Sequence, residues 1–110
     1  MRIDHNNNIR MVRGDSEAIT VSCEQMPFKA GDKVTLTVRK SRMNSLLIMQ
    51  KDVTDFVEGK AVIEIEPSDT SHLVFGDYIY DIQMIRADGT VKTIIRPATF
   101  TVELEVSYDD

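Results

Sequence analysis

The sequence predicts an all-β domain, a sandwich of two packed layers. Three observations carry that expectation. Short runs in which every second residue is apolar recur from Ile9 to Val106, the period of a strand with one face buried and the other wet. Turn-forming residues separate the runs at roughly 8–12-residue spacing, as in sandwiches and barrels. The chain has 110 residues, 42% of them apolar, which suits one domain with one core.

Met1 to Asn8, with Asn6-Asn7-Asn8, reads as a flexible N-terminal arm. The sandwich domain runs over 9–106 and opens with the run Ile9 to Val12, which Arg13-Gly14-Asp15-Ser16 breaks. Ala18 to Glu24 follows, with Ile19, Val21 and Cys23 on one face. Lys33 to Lys40 is the clearest strand, with Val34, Leu36 and Val38 opposite Thr35, Thr37 and Arg39. Leu46 to Val53 suits a strand or a helix; its shortness and bounding turns favour strand. In Lys60 to Glu66, Ala61, Ile63 and Ile65 face away from Val62, Glu64 and Glu66.

Pro67-Ser68-Asp69-Thr70 opens one short helical turn, which Ser68 or Asp69 is placed to cap. Asp77 to Ala87 is the longest strand, with Tyr78, Tyr80, Ile82 and Met84 on one face and Ile79, Asp81, Gln83 and Ile85 on the other. Asp88-Gly89 makes a tight hairpin turn. Thr90 to Arg96 returns, Pro97 interrupts, and Thr99 to Val106 is the last strand, with Phe100, Val102, Leu104 and Val106 inward. Residues 107–110 form an acidic tail. About eight strands and one helical turn are the count of an immunoglobulin-like antiparallel sandwich.

Charge narrows the partners. Eighteen acidic and 13 basic side chains leave a net charge of −5, which argues against nucleic acid and against an anionic membrane. No signal peptide or membrane span is visible in the sequence. Cys23, the one cysteine, lies on an apolar strand face and reads as a small hydrophobe.

No catalytic set emerges, and the chain reads as a non-enzyme without cofactor or metal. His5 and His72 sit beside no nucleophile motif. Asp52, Asp55 and Glu58 match no calcium-loop spacing and read as solvated loop charge. Glu64-Glu66 and Glu103-Glu105 alternate with apolar residues and belong to outer strand faces. Arg13-Gly14-Asp15 spells an adhesive tripeptide, but Gly-Asp between two strands is first a turn. The aromatic residues are four Phe and three Tyr, with no Trp. Tyr78, Tyr80 and Tyr108 are the hydroxylated rings from which a sugar-binding surface could be built.

Gly76-Asp77-Tyr78-Ile79-Tyr80-Asp81-Ile82-Gln83, then Asp88-Gly89-Thr90-Val91-Lys92-Thr93-Ile94, then Thr99-Phe100-Thr101-Val102 form an ordered set. It resembles small phage and prophage structural proteins of Gram-positive bacteria, and is similar to the N-terminal, immunoglobulin-like domain of phage baseplate upper proteins. Arg13-Gly14-Asp15-Ser16 before a strand also resembles that family's start; Arg96-Pro97-Ala98-Thr99 departs from it, where the family often has Gly. The resemblance implies a virion structural protein of baseplate, tail or neck, made in the bacterial cytoplasm, with other phage structural proteins as partners and homo-oligomers possible. It brings no catalytic residues. The expected contact surface is Tyr78, Tyr80, Asp81, Gln83, Thr93 and Arg96, with the arm Met1 to Asn8 as a further contact element. A carbohydrate- or surface-binding module is the alternative.

Overall fold

A computed structural model describes residues 1–104. Eight strands and one helical turn occur in the order β1 (Arg2–Ile3), β2 (Ile9–Val12), β3 (Glu17–Val21), β4 (Lys33–Arg39), β5 (Leu47–Val53), β6 (Ala61–Ile65), α1 (Pro67–Thr70), β7 (Gly76–Ile85) and β8 (Val91–Glu103). They form an immunoglobulin-like sandwich of two unequal sheets. The large sheet has the order β1-β2-β8-β7-β4-β5, and the small one is β3-β6.

Alternation builds the core. Val34, Leu36 and Val38 of β4 are fully buried, as are Ile63 of β6 and Phe100 of β8, while Ile82 and Met84 of β7 are 1% exposed. Residues between them on the same strands point outward. The small sheet lies over the inner face of the large one, contributing Ile19, Val21, Ala61, Ile63 and Ile65 to the core.

Four details depart from the sequence expectation. First, the sheet is mixed, because β2 runs parallel to β8, with Ile9 opposite Phe100 and Met11 opposite Val102. The two strands come from opposite ends of the described chain, so no hairpin imposes an antiparallel pairing. Arg10 also reaches Glu103 across the pair at 3.6 Å. Second, part of the N-terminal arm is a strand: Arg2 and Ile3 pair with Arg10 and Ile9. Asp4 organises the turn between them, its Oδ1 accepting the amides of Asn6 and Asn8, each at 2.9 Å.

Third, Pro97 does not end a strand. β8 runs through it by means of two bulges, where the pairing shifts between Tyr80 and Ile82 and again between Ile82 and Gln83. A bulge leaves a residue out of the ladder, so the missing amide of Pro97 is tolerated. Fourth, the cap of α1 is Glu66, not Ser68 or Asp69. Asp69 works from inside the turn: its Oδ2 accepts the Glu66 amide at 2.7 Å and Lys51 Nζ at 2.7 Å. Glu105, Val106 and the tail 107–110 lie outside the described residues.

The crossover from β2 to β3 explains the Arg13-Gly14-Asp15 tripeptide. Gly14 has φ +84°, and its amide donates to the fully buried Thr70 Oγ1 at 2.8 Å. Arg13 donates to the Leu73 carbonyl at 3.0 Å. The tripeptide thus carries the chain between sheets and ties α1 to that crossing. At the β7–β8 hairpin, Arg86 and Thr90 close a loop of three residues, Ala87 to Gly89, with Gly89 at φ +92°. Asp88 Oδ1 accepts the Thr90 amide at 2.9 Å. Three-residue hairpins take this form, with the last loop residue left-handed.

Candidate functional site

Strand alternation divides the six residues expected to form a contact surface. Tyr80 is 3% exposed; its ring packs edge-on against Phe100 at 6.2 Å between centroids. Its hydroxyl donates to the Asn7 carbonyl, and burial pushes its pKa up to about 12, with Asp4 adding to the effect. Tyr78, half-buried on the same inner face, donates to the Val74 carbonyl at 2.6 Å. Both rings therefore support the sheet from beneath.

Asp81 and Gln83 point the other way, onto the outer face of the large sheet. Asp81 lies opposite Thr37 of β4, and Gln83 lies between Thr35 of β4 and Thr93 of β8. Arg96 is exposed in the bulge beside Pro97. Thr35, 7% exposed, donates its hydroxyl to Asp52 Oδ1 at 2.9 Å. Among the described residues no third layer covers this face, and Thr35, Thr37, Asp81, Gln83 and Thr93 lie on it between Ile79 and Ile85.

Two open grooves cross the face. One, of about 270 Å³, runs between Thr37, Arg39, Ser41, Arg42, Asp81 and Pro97. Its partial burial raises the Asp81 carboxyl above the usual range, and the neighbouring Arg39 works against that shift. The other, of about 670 Å³, lies at the β1–β2 margin between Arg2, Asp4, Arg10, Asp77, Thr99 and Thr101. There Thr101 donates to Asp77 Oδ1 at 2.7 Å. Such surfaces offer hydrogen bonds in fixed rows to a flat or extended partner. Asp52, Asp55 and Glu58 do not converge, and among the described residues no group of three His, Cys, Asp or Glu side chains is placed to hold a metal.

Sequence reasoning misses one feature. Met43 is 97% exposed, and Val74, Leu46 and Phe75 also stand out from the surface. Lys40 and Ser41 line one depression with Val74 and Phe75, so the two loops share one end of the sandwich. Leu46 looks like a strand start, and Val74-Phe75 belongs to no periodic run. Only the tertiary arrangement brings the two loops that carry them to one end.

No protein-family model matches the chain, and no curated protein matches it. Among solved structures, the fold is similar to that of CopC from Methylosinus trichosporium OB3b, with a TM-score of 0.52 and 12% identity over 91% of this chain and 87% of that one. It is also similar to part of a protein assigned to the glycoside hydrolases, from Bacteroides vulgatus ATCC 8482. That likeness has a TM-score of 0.50 and 17% identity over 93% of this chain, which spans 17% of the larger protein. At these identities the likeness is one of fold.

Proposed function

We propose that this chain is a non-enzymatic structural module of a phage or prophage particle that works by docking onto neighbouring subunits. The observation that carries the docking part is the uncovered outer face of the large sheet. A six-stranded sheet is roofed on one side by two strands, leaving Thr37, Asp81, Gln83 and Thr93 in ordered rows opposite one another. Rigid strands hold such groups at fixed spacing, which suits recognition of another protein surface. The phage setting rests on the ordered resemblance over Gly76–Val102, above all Gly-x-Tyr-x-Tyr-Asp-Ile-Gln. Several of its residues have clear folding roles. Gly76 adopts φ +142° where the chain enters β7, and the two tyrosines anchor a loop and the N-terminal turn through their hydroxyls.

The test is mass spectrometry of particles purified on a density gradient from the producing cells. The reading expects the chain in the particle fraction at a fixed ratio to a known tail or capsid protein. Its absence from purified particles would contradict the reading. Binding of the pure protein to a glycan array, lost in Asp81→Ala, would replace docking with sugar recognition in the groove beside Arg39.

A further inference from the structure

We infer that the apolar end formed by loops 40–47 and 74–76 docks onto the acidic outer face of β3–β6 in a second copy of this chain. The inference goes beyond the docking reading above, which uses the outer face of the large sheet, and concerns a second pair of surfaces. Single exposed apolar residues are ordinary, but several on two loops that share one depression mark an interaction site. Here Met43 is 97%, Val74 73%, Leu46 59% and Phe75 56% exposed.

The group is held in place by its own backbone. Lys40 and Leu46 close the first loop at 3.0 Å, and Ser41 and Asn44 bond across it at 3.0 Å. Asn44 Oδ1 accepts the Leu46 amide at 3.1 Å, and Arg39 donates to the Ser45 carbonyl at 2.9 Å. In the second loop, Arg13 grips the Leu73 carbonyl and Tyr78 that of Val74. Ordering these loops therefore costs little on binding, which favours a partner that meets them as they stand.

Charge identifies that partner. Two cations, Lys40 and Arg42, lie on the first loop, directly after Arg39 at the end of β4, in a protein with net charge −5. Among the described residues neither Lys40 nor Arg42 is in an ion pair. The complement exists on the same chain. A shallow concavity of about 420 Å³ on the small sheet is lined by Glu17, Ala18, Glu64 and Glu66, with Val62 45% exposed on the same strand face as the two glutamates. Glu17 already meets the N-terminal amine at 3.0 Å, whereas Glu64 has no ion-pair partner among the described residues. The loop end thus carries exposed apolar side chains beside the cations Lys40 and Arg42, and the β3–β6 face carries Val62 beside carboxylates. Opposed charges steer such patches together and fix their register. Two short loops bury less than a permanent interface requires, so the association is concentration-dependent.

Analytical ultracentrifugation of the full chain from roughly 10 μM to 1 mM tests this. The wild type should self-associate, and association should weaken as salt rises from about 50 to 500 mM. Met43→Asp, the pair Lys40→Glu with Arg42→Glu, and Glu64→Lys should each stay monomeric while keeping the wild-type circular dichroism. Mixing the two charge-reversed proteins should restore association, because each patch of one then meets a patch of opposite charge on the other, and all three reversals in one chain should restore self-association. A wild type that is monomeric throughout, or assembly that none of the substitutions alters, would overturn the inference. So would binding of monomer to phosphatidylglycerol vesicles that Met43→Asp abolishes, since that assigns the apolar end to lipid. None of these results bears on whether purified particles contain the chain, so the two readings fail separately.

Discussion

Asp32 is the residue on which the lower end of the sandwich turns. Its side chain is 1% exposed, and Oδ2 takes Arg86 at 2.9 Å together with the Lys29 amide at 3.1 Å. Oδ1 has no partner. A buried carboxylate that loses its cation keeps the desolvation cost and loses the compensation. Arg86→Ala should therefore destabilise the fold by about 3 kcal/mol. Lys51→Ala breaks the more exposed Lys51–Asp69 pair and should cost about 1 kcal/mol or less. Urea denaturation of the two variants checks the order.

Tyr80 predicts a pH dependence. Its pKa rises from 10.0 to about 12 in the fold. The unfolded chain releases the proton first, so this contribution is complete below pH 10 and is lost as pH rises through 12. Tyr80→Phe should lower stability at neutral pH, by about 1 kcal/mol for one hydrogen bond, and flatten the alkaline limb of the stability curve. An unchanged alkaline limb would mean that another group governs it.

Among the elements, strands with strict alternation are legible in the sequence and their interruptions are not. The buried sets Val34, Leu36, Val38 and Ala61, Ile63, Ile65 follow from period two alone. β8 reads as two strands because Pro97 looks like a terminator in isolation; only the pairing with β7 shows a bulge that makes its missing amide harmless. The parallel β2–β8 pair is equally invisible, since local sequence carries no record of a partner some 90 residues away. Turns separate into those limited by backbone angle and those limited by space. Gly89 has φ +92°, and a Cβ there would meet nothing within 4 Å. Gly59 has φ +75°, and a Cβ there would lie only 2.9 Å from Pro27 Cβ. Gly89→Ala should cost about 1 kcal/mol. Gly59→Ala should cost clearly more, because Pro27 is also held near the packed Phe28–Phe56 pair. Thermal denaturation of both variants measures the difference.

For the whole molecule, the fold class is legible in the sequence, but the proposed docking surface only in part. Asp81, Gln83 and Thr93 lie on the outer face because alternation puts them opposite the buried side of the strands. The tyrosines that make the motif recognisable face inward and hold the N-terminal turn and the loop at Val74. The sheet order decides which face stays open, and that order comes from pairings between distant segments. The resulting molecule is extended, 53 × 31 × 25 Å, with its large sheet roofed on one side.

The proposed docking through that open face is measured by cysteine labelling of the free protein and of purified particles that contain it. In a Cys23→Ser background, Thr37→Cys and Gln83→Cys place thiols on the outer face, and Ser68→Cys places one on exposed α1. All three should react with a maleimide dye in the free protein, and Thr37→Cys and Gln83→Cys should lose at least tenfold in rate within the particle while Ser68→Cys stays reactive. Equal reactivity of the outer-face thiols in free and assembled protein would contradict that docking.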